Sequence, residues 1–478
     1  MVRKLLYIGL ALVLLVYYFV PNERMDKGVI TVLLSLVGLS TFLFFYRKEK
    51  APSLKGQFFK HSTLAVVGLL IVNFQYYIDY LIGNIPATNT FIFVNQAIVV
   101  KTLTLSLIGL LLFFIGYLSY KKKKSITVTK EKAYNTKYLE LLLLVFLVLY
   151  FSTLNMNYVL GGYGSEDLGT GANYFALLFK IFIICIVIQK SRNLIITGNT
   201  DISLKRYLTN LGLIFNICLA LYLLTVLLSG DRGPLITSSL IVFAGYLFVT
   251  KRKFKKRYGI ILLFVGASLI TLLGVARSIG SGLSFTDKMQ MAFQENPFSR
   301  EESFLPQTKE LAGSIKANHH AVDYVPSQHD FLWGRFQFQQ ITAAMPFFHN
   351  FNALIFEDMS RKYAGSSSFV TWIFQGDYPT YGNGTSVIAD FYFDFGLFGV
   401  IVGMFFYGYF MRKAEVNMYS KQLPGVFMTA FFMVYIGSAL YISRSSFLFE
   451  FKTVVWVYVI LMLNRYVFNN NRKKTLNN

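Results

Sequence analysis

Apolar residues in this chain come in runs of about 20, separated by short polar stretches. That spacing matches the length a helix needs to cross the hydrocarbon core of a bilayer. Read in order, the runs predict about twelve spans, near 5–20, 28–46, 62–82, 98–120, 138–160, 173–189, 207–228, 234–250, 258–276, 385–410, 425–442 and 447–467. The first run follows Met1-Val-Arg-Lys and ends in Pro21-Asn-Glu-Arg24 with no small-x-small site, so it reads as an uncleaved first span. The predicted architecture is an all-α polytopic membrane protein.

Only 277–384 interrupts the pattern at length. It is rich in polar and aromatic residues and holds His319, His320, His329 and His349, leaving only His61 elsewhere. A loop this long without structure of its own is improbable, so short surface helices are expected near 285–293 and 341–356, folded over the membrane part. The chain therefore divides into 1–276 with nine spans, the loop 277–384, and 385–478 with three spans and a tail.

The net charge of +22 at 478 residues raises the question of nucleic acid. Its distribution answers it. Arg3-Lys4, Lys121-Lys-Lys-Lys124, the 251–257 cluster, Arg412-Lys413 and Arg472-Lys-Lys474 fall in alternate loops. This is the bias of cytoplasmic loops, not a nucleic-acid footprint. Twelve spans and this alternation put both termini on the cytoplasmic side of the membrane and 277–384 outside. Cys185 and Cys218 lie inside apolar runs, and neither a disulfide framework nor a CxxC metal spacing is readable. No HExxH, GxSxG or P-loop motif occurs, and the Gly-rich 161–171 stretch lacks GK[ST]. No metal or cofactor is expected.

Charges that oppose the orientation rule then carry information. Arg232 in Ser229-Gly-Asp-Arg-Gly-Pro234, Arg277 at the end of the ninth run, and Arg444 in Ser443-Arg-Ser-Ser446 all fall on the outer side. Together they suit an anionic ligand such as a lipid-linked diphosphate, because guanidinium offers forked donors and stays charged. If the diphosphate leaves in a glycosyl transfer, such groups stabilise its developing charge. A base for the attacking hydroxyl is still needed. Asp231, Glu301, Glu302, Asp377, Asp390 and the loop histidines remain open for it. Asp394, Glu450 and Lys101 are further charges inside spans, where internal pairing is expected.

Gly384-Thr-Ser-Val-Ile-Ala-Asp-Phe-Tyr-Phe-Asp-Phe-Gly-Leu-Phe-Gly399, the Ser229–Leu235 turn, Arg444-Ser-Ser-Phe447, and Gly334 with Ala343-Ala-Met-Pro346 stand in one order. Order and topology resemble those of bacterial Wzy-type O-antigen and capsule repeat-unit polymerases. The resemblance implies a metal-independent glycosyltransferase with a GT-C-like fold. It would transfer a growing glycan onto the next undecaprenyl-diphosphate-linked oligosaccharide unit at the outer face. Catalytic roles fall to Arg232, Arg277, Arg444 and Asp390, and substrate contacts to Asp231, Glu302, His319 and Lys101. A chain-length regulator and a flippase are possible partners besides the bilayer. An O-antigen ligase-like transferase shares the architecture. A flippase of the same lipid-linked units is a further alternative, although no internal repeat points to a transporter.

Overall fold

The structure is a computed structural model. It describes residues 2–21, 24–49, 51–121, 131–159, 168–169, 171–255, 257–259, 266, 268, 272, 275, 285–294, 303–345, 347–420 and 422–476. The main helices are α1 (Val2–Tyr18), α2 (Lys27–Phe45), α3 (His61–Leu81), α4 (Gln96–Ser119), α5 (Lys137–Thr153), α6 (Ala172–Ile196), α7 (Leu213–Ser229) and α8 (Gly233–Thr250). The 303–384 segment adds α9 (Ile315–Tyr324), α10 (Arg335–Thr342) and α11 (Ser366–Gln375). The chain closes with α12 (Val387–Met418), α13 (Val426–Ser438) and α14 (Phe451–Leu476). No strand occurs among the described residues.

Helices stand at every expected segment except the ninth, which lies largely outside the described residues together with most of the Gly-rich 161–171 stretch. By length and apolar content, α2, α3, α4, α6, α8 and α12 can each cross a membrane. Helix α7 and the preceding Leu204–Leu211 turn through 99° at Gly212, making a seventh candidate if taken as one span. Local chemistry fixes several ends. Asp26, Asn95 and Ser386 accept the backbone N–H groups of Val29, Ala97 and Ala389 at 2.8, 3.0 and 3.0 Å, satisfying donors that α2, α4 and α12 leave open.

The centre is the α4–α12 pair. Helices in lipid gain by close backbone approach, which small residues permit. A Cβ at Gly116 would lie 1.9 Å from the Phe405 carbonyl oxygen, and one at Gly408 would lie 2.0 Å from that of Phe113. Only glycine fits at these crossings.

Two devices attach the 303–384 segment to this core. One is a row of polar residues on α3. Asn73 accepts from the Asn318 amide at 2.7 Å, Gln75 from the Thr308 hydroxyl at 2.6 Å, and Asp79 from the Ser303 hydroxyl and Phe304 N–H at 2.8 and 2.7 Å. The other is a break in α12 at Phe395–Gly396, where Gly396 takes φ +59°. The break frees carbonyls, and the segment supplies their donors: Leu332 and Trp333 N–H reach the Phe393 and Asp394 oxygens, both at 2.9 Å. Asp394 in turn accepts from Phe336 and Gln337 N–H at 3.1 and 2.9 Å, capping the start of α10. The expected cation partner for Asp394 is thus replaced by two backbone donors. Glu450 does find a cation across helices, Lys180 at 2.9 Å.

Candidate active site

Two turns bring arginines to one place. At the first, α7 ends on Gly230 at φ +74°, with Gly230 and Asp231 N–H bonded back to Leu227 and Val226. Pro234 then opens α8, where its missing N–H is no loss. The Asp231 carboxylate accepts from Gly233 N–H at 3.2 Å and from the Tyr158 hydroxyl at 3.3 Å, which braces the turn. Arg232 is left at the lip, nearly buried.

At the second turn, Ile442–Arg444 forms one turn of 3₁₀ helix between α13 and α14. It lies directly on α3 at Gly68, where a Cβ would stand 2.7 Å from the Ser443 hydroxyl. Between the two turns stands Glu310, from the short helix Lys309–Ala312. Its carboxylate meets Arg232 Nη2 at 2.5 Å and Arg444 Nη1 at 3.5 Å. The Arg444 side chain is one-third exposed and Glu310 half exposed, so this ion triad opens to solvent. Beside it lies a cavity of about 290 Å³ lined by Gly233, Thr237, Tyr441, Arg444, Ser446 and Glu450, among others.

Asp390 holds Ser446, one of the residues lining this cavity. It has no exposed surface. Its Oδ1 accepts from the Ser366 and Ser446 hydroxyls at 2.6 and 2.8 Å and from the Gln340 amide at 3.1 Å; its Oδ2 accepts from the Gln337 amide at 2.7 Å. Four donors from α10, α11 and the Arg444 turn therefore meet on one carboxylate of α12. Whatever moves Asp390 moves the Arg444 turn relative to α10.

The other expected residues divide. Arg277, Glu301 and Glu302, and the side chain of His349, lie outside the described residues. His319 is buried, with Nδ1 2.6 Å from the Ile92 carbonyl and Nε2 2.8 Å from the Tyr77 hydroxyl. Desolvation by burial pushes its imidazole down to about 4. Burial does the same to His320, which packs edge-on against Phe374. His329 bonds the Tyr363 hydroxyl at 2.8 Å, and Asp377 accepts the Trp372 indole N–H at 2.8 Å. Lys101 belongs to a separate cluster, its ammonium 5.0 Å from the centre of the Tyr18 ring. Tyr18 in turn reaches the Tyr392 hydroxyl at 3.2 Å. Among the described residues, no group of three or more His, Cys, Asp or Glu side chains stands in a position to hold a metal ion.

Sequence reasoning missed Glu310, Gln337, Gln340 and Arg335. Each is one ordinary polar residue in a polar segment, and only the packing of that segment on the helices gives it a partner.

The family model described as O-antigen polysaccharide polymerase Wzy matches residues 6–471. Neither the curated proteins nor the solved structures provide a match.

Proposed function

The chain belongs to the O-antigen polysaccharide polymerase Wzy family, and from that premise we propose that the Arg232–Arg444 pair, beside the cavity that Arg444 lines, holds the diphosphate of a lipid-linked oligosaccharide during glycan polymerisation. The observation that carries this reading is Glu310. Two guanidinium groups from separate turns converge on one carboxylate, and one of them, Arg444, lines the adjoining cavity. An anion with more charge and more acceptor oxygens is a stronger partner for the same fork of donors.

In this reading Glu310 marks the anion position and is displaced by the diphosphate. A hydroxyl on the incoming unit attacks the anomeric carbon of the growing chain. A new C–O bond forms as the bond to the diphosphate oxygen breaks, and the hydroxyl proton passes to a base. Arg232 and Arg444, with Arg277 at the root of the 277–384 segment, stabilise the charge gathering on undecaprenyl diphosphate without a metal. Displaced Glu310 joins Asp231, Glu301, Glu302 and Asp377 as a candidate for the proton. Asp390 is a positioning residue, because it is fully buried and its acceptor positions face four donors. His319 holds the scaffold, and Lys101 would meet substrate from a separate cluster.

Twelve spans, cytoplasmic termini and an outer 277–384 segment complete the proposal. The support for them is the alternation of basic loops and the row of helices. Flipped units from a flippase would be its supply, and a chain-length regulator a natural partner.

The test is reconstitution in proteoliposomes with a lipid-linked repeat unit, read as a ladder on a gel. A regular ladder supports polymerisation. Transfer of one block to another acceptor without a ladder means a ligase. Movement of the unit across the bilayer without a new bond means a transporter.

A further inference from the structure

A second cavity, of about 240 Å³, adjoins the first and shares Phe449 with it. Its lining carries two cations, Arg335 and Lys452, and no carboxylate. The neighbouring acids each have other partners: Glu450 pairs with Lys180 at 2.9 Å, Asp358 accepts from Ser360 N–H at 2.8 Å, Asp394 accepts from Phe336 and Gln337 N–H, and Asp390 faces its four donors. Arg335 is nearly buried. Its guanidinium carbon stands 4.7 Å from the Phe356 ring centre and 4.3 Å from that of Tyr363, and one Nη donates to the Asp358 carbonyl. Among the described residues its Nε has no hydrogen-bond partner. Nor do the carbonyl oxygens of Gln339 and Gln340, both buried on the same lining. The Lys452 ammonium lies 4.6 Å from the Phe449 ring centre, within the field of Glu450, whose carboxylate is bonded to Lys180.

A buried polar atom without a partner is costly, so several on one wall point to a ligand that supplies the missing contacts. The inventory defines that ligand. It carries an anionic group for Arg335 and Lys452, hydroxyl donors for the two glutamine oxygens, and a ring face to lie against Tyr363 or Phe449. We propose that this cavity is a subsite for a negatively charged pyranose, a uronic-acid residue of the oligosaccharide. That the sugar arrives as part of a lipid-linked chain rests on the polymerase reading above; the recognition chemistry does not. The two cavities are coupled, because Gln340 reaches through Asp390 to Ser446 on the wall of the first.

The experiment uses the full chain in nanodiscs with methyl glucuronide and methyl glucoside as probes, read by saturation-transfer NMR. The glucuronide should bind at least tenfold more tightly than the glucoside. Inorganic phosphate should compete with it poorly. Lys452→Gln, at a partly buried position, should remove the preference, and Arg335→Gln should weaken binding of both sugars. Equal binding of the two sugars overturns the proposal. So do binding of neither, a preference untouched by Lys452→Gln, and phosphate competing as well as glucuronide, which would make this a general anion site. Outcomes for the two readings separate cleanly. Sugar preference without a polymer ladder leaves the subsite and removes the polymerase. A ladder without sugar preference does the reverse.

Discussion

Replacing Asp390 by Asn distinguishes a positioning carboxylate from a catalytic one, and the geometry predicts how much each would change. Three donors meet Oδ1: the Ser366 and Ser446 hydroxyls and the Gln340 amide, at 2.6, 2.8 and 3.1 Å. Only the Gln337 amide faces Oδ2 closely, at 2.7 Å. Asn can keep its carbonyl at the Oδ1 position and present its amide to Gln337. The Gln337 carbonyl oxygen is buried and unpartnered, so a flip of that amide restores the fourth bond. The remaining loss is of charge assistance, on the order of 1–2 kcal/mol in all. Ala instead leaves four donors buried without an acceptor, at roughly 1–3 kcal/mol each, which is enough to unseat α10 and the Arg444 turn. Asp390→Asn should therefore stay folded and lose less than about tenfold in kcat, with KM nearly unchanged. Asp390→Ala should lose both fold and activity. Thermal unfolding in detergent and initial rates of chain extension measure the two effects. A general base contributes about 10²–10⁴ in rate. An Asp390→Asn protein that is folded but slower by that factor refutes the positioning role.

Other consequences concern packing, pH and the ion triad. Gly408→Ala drives a methyl to 2.0 Å from the Phe113 carbonyl, so it should lower stability by at least the usual 1–3 kcal/mol of overpacking, read as loss of folded yield or melting temperature. The His319 imidazole, held down to about 4 by burial, stays neutral in the fold while the unfolded chain takes up a proton near 6.5. Its share of stability is complete above about pH 6.5 and drains away, by roughly 3 kcal/mol, as pH falls to about 4. His320 acts in the same direction. Unfolding midpoints that do not change over this window would contradict that environment. Glu310→Gln removes the anion that competes for the two arginines, so inorganic diphosphate should bind several-fold more tightly; weaker binding would mean Glu310 orders the arginines and does not merely stand in for the ligand.

Much of the fold was legible because its driving pattern is local. Apolar runs set the helices, and Gly230 with Pro234 set the Arg232 turn, from neighbours a few residues apart. The nearness of Arg232 and Arg444 was legible indirectly: alternation of basic loops assigns Arg232, Arg277 and Arg444 to one side, against the bias, although Arg277 lies outside the described residues. The remainder depends on contacts between distant residues. Glu310 meets partners 78 and 134 residues away. The break at Phe395–Gly396 has no local signature, since glycine is ordinary in membrane helices; it becomes necessary only when Leu332 and Trp333 dock on the freed carbonyls. Asn73, Gln75 and Asp79 look like polar residues misplaced in an apolar run until the 303–318 segment supplies their donors. His319 drew notice as an imidazole in a polar loop, yet folding puts it in the interior.

The most direct test of the account is the rate of chain extension by Arg232→Ala and Arg444→Ala proteins reconstituted with a lipid-linked repeat unit. Each should remain folded in the membrane and lose at least about 10² in rate, the size of a lost donor to a developing anion. Lysine at either position should recover little, since one ammonium does not reproduce the guanidinium fork. Polymer of normal length made at normal rates by both alanine variants would contradict the claim that these two arginines hold the leaving diphosphate.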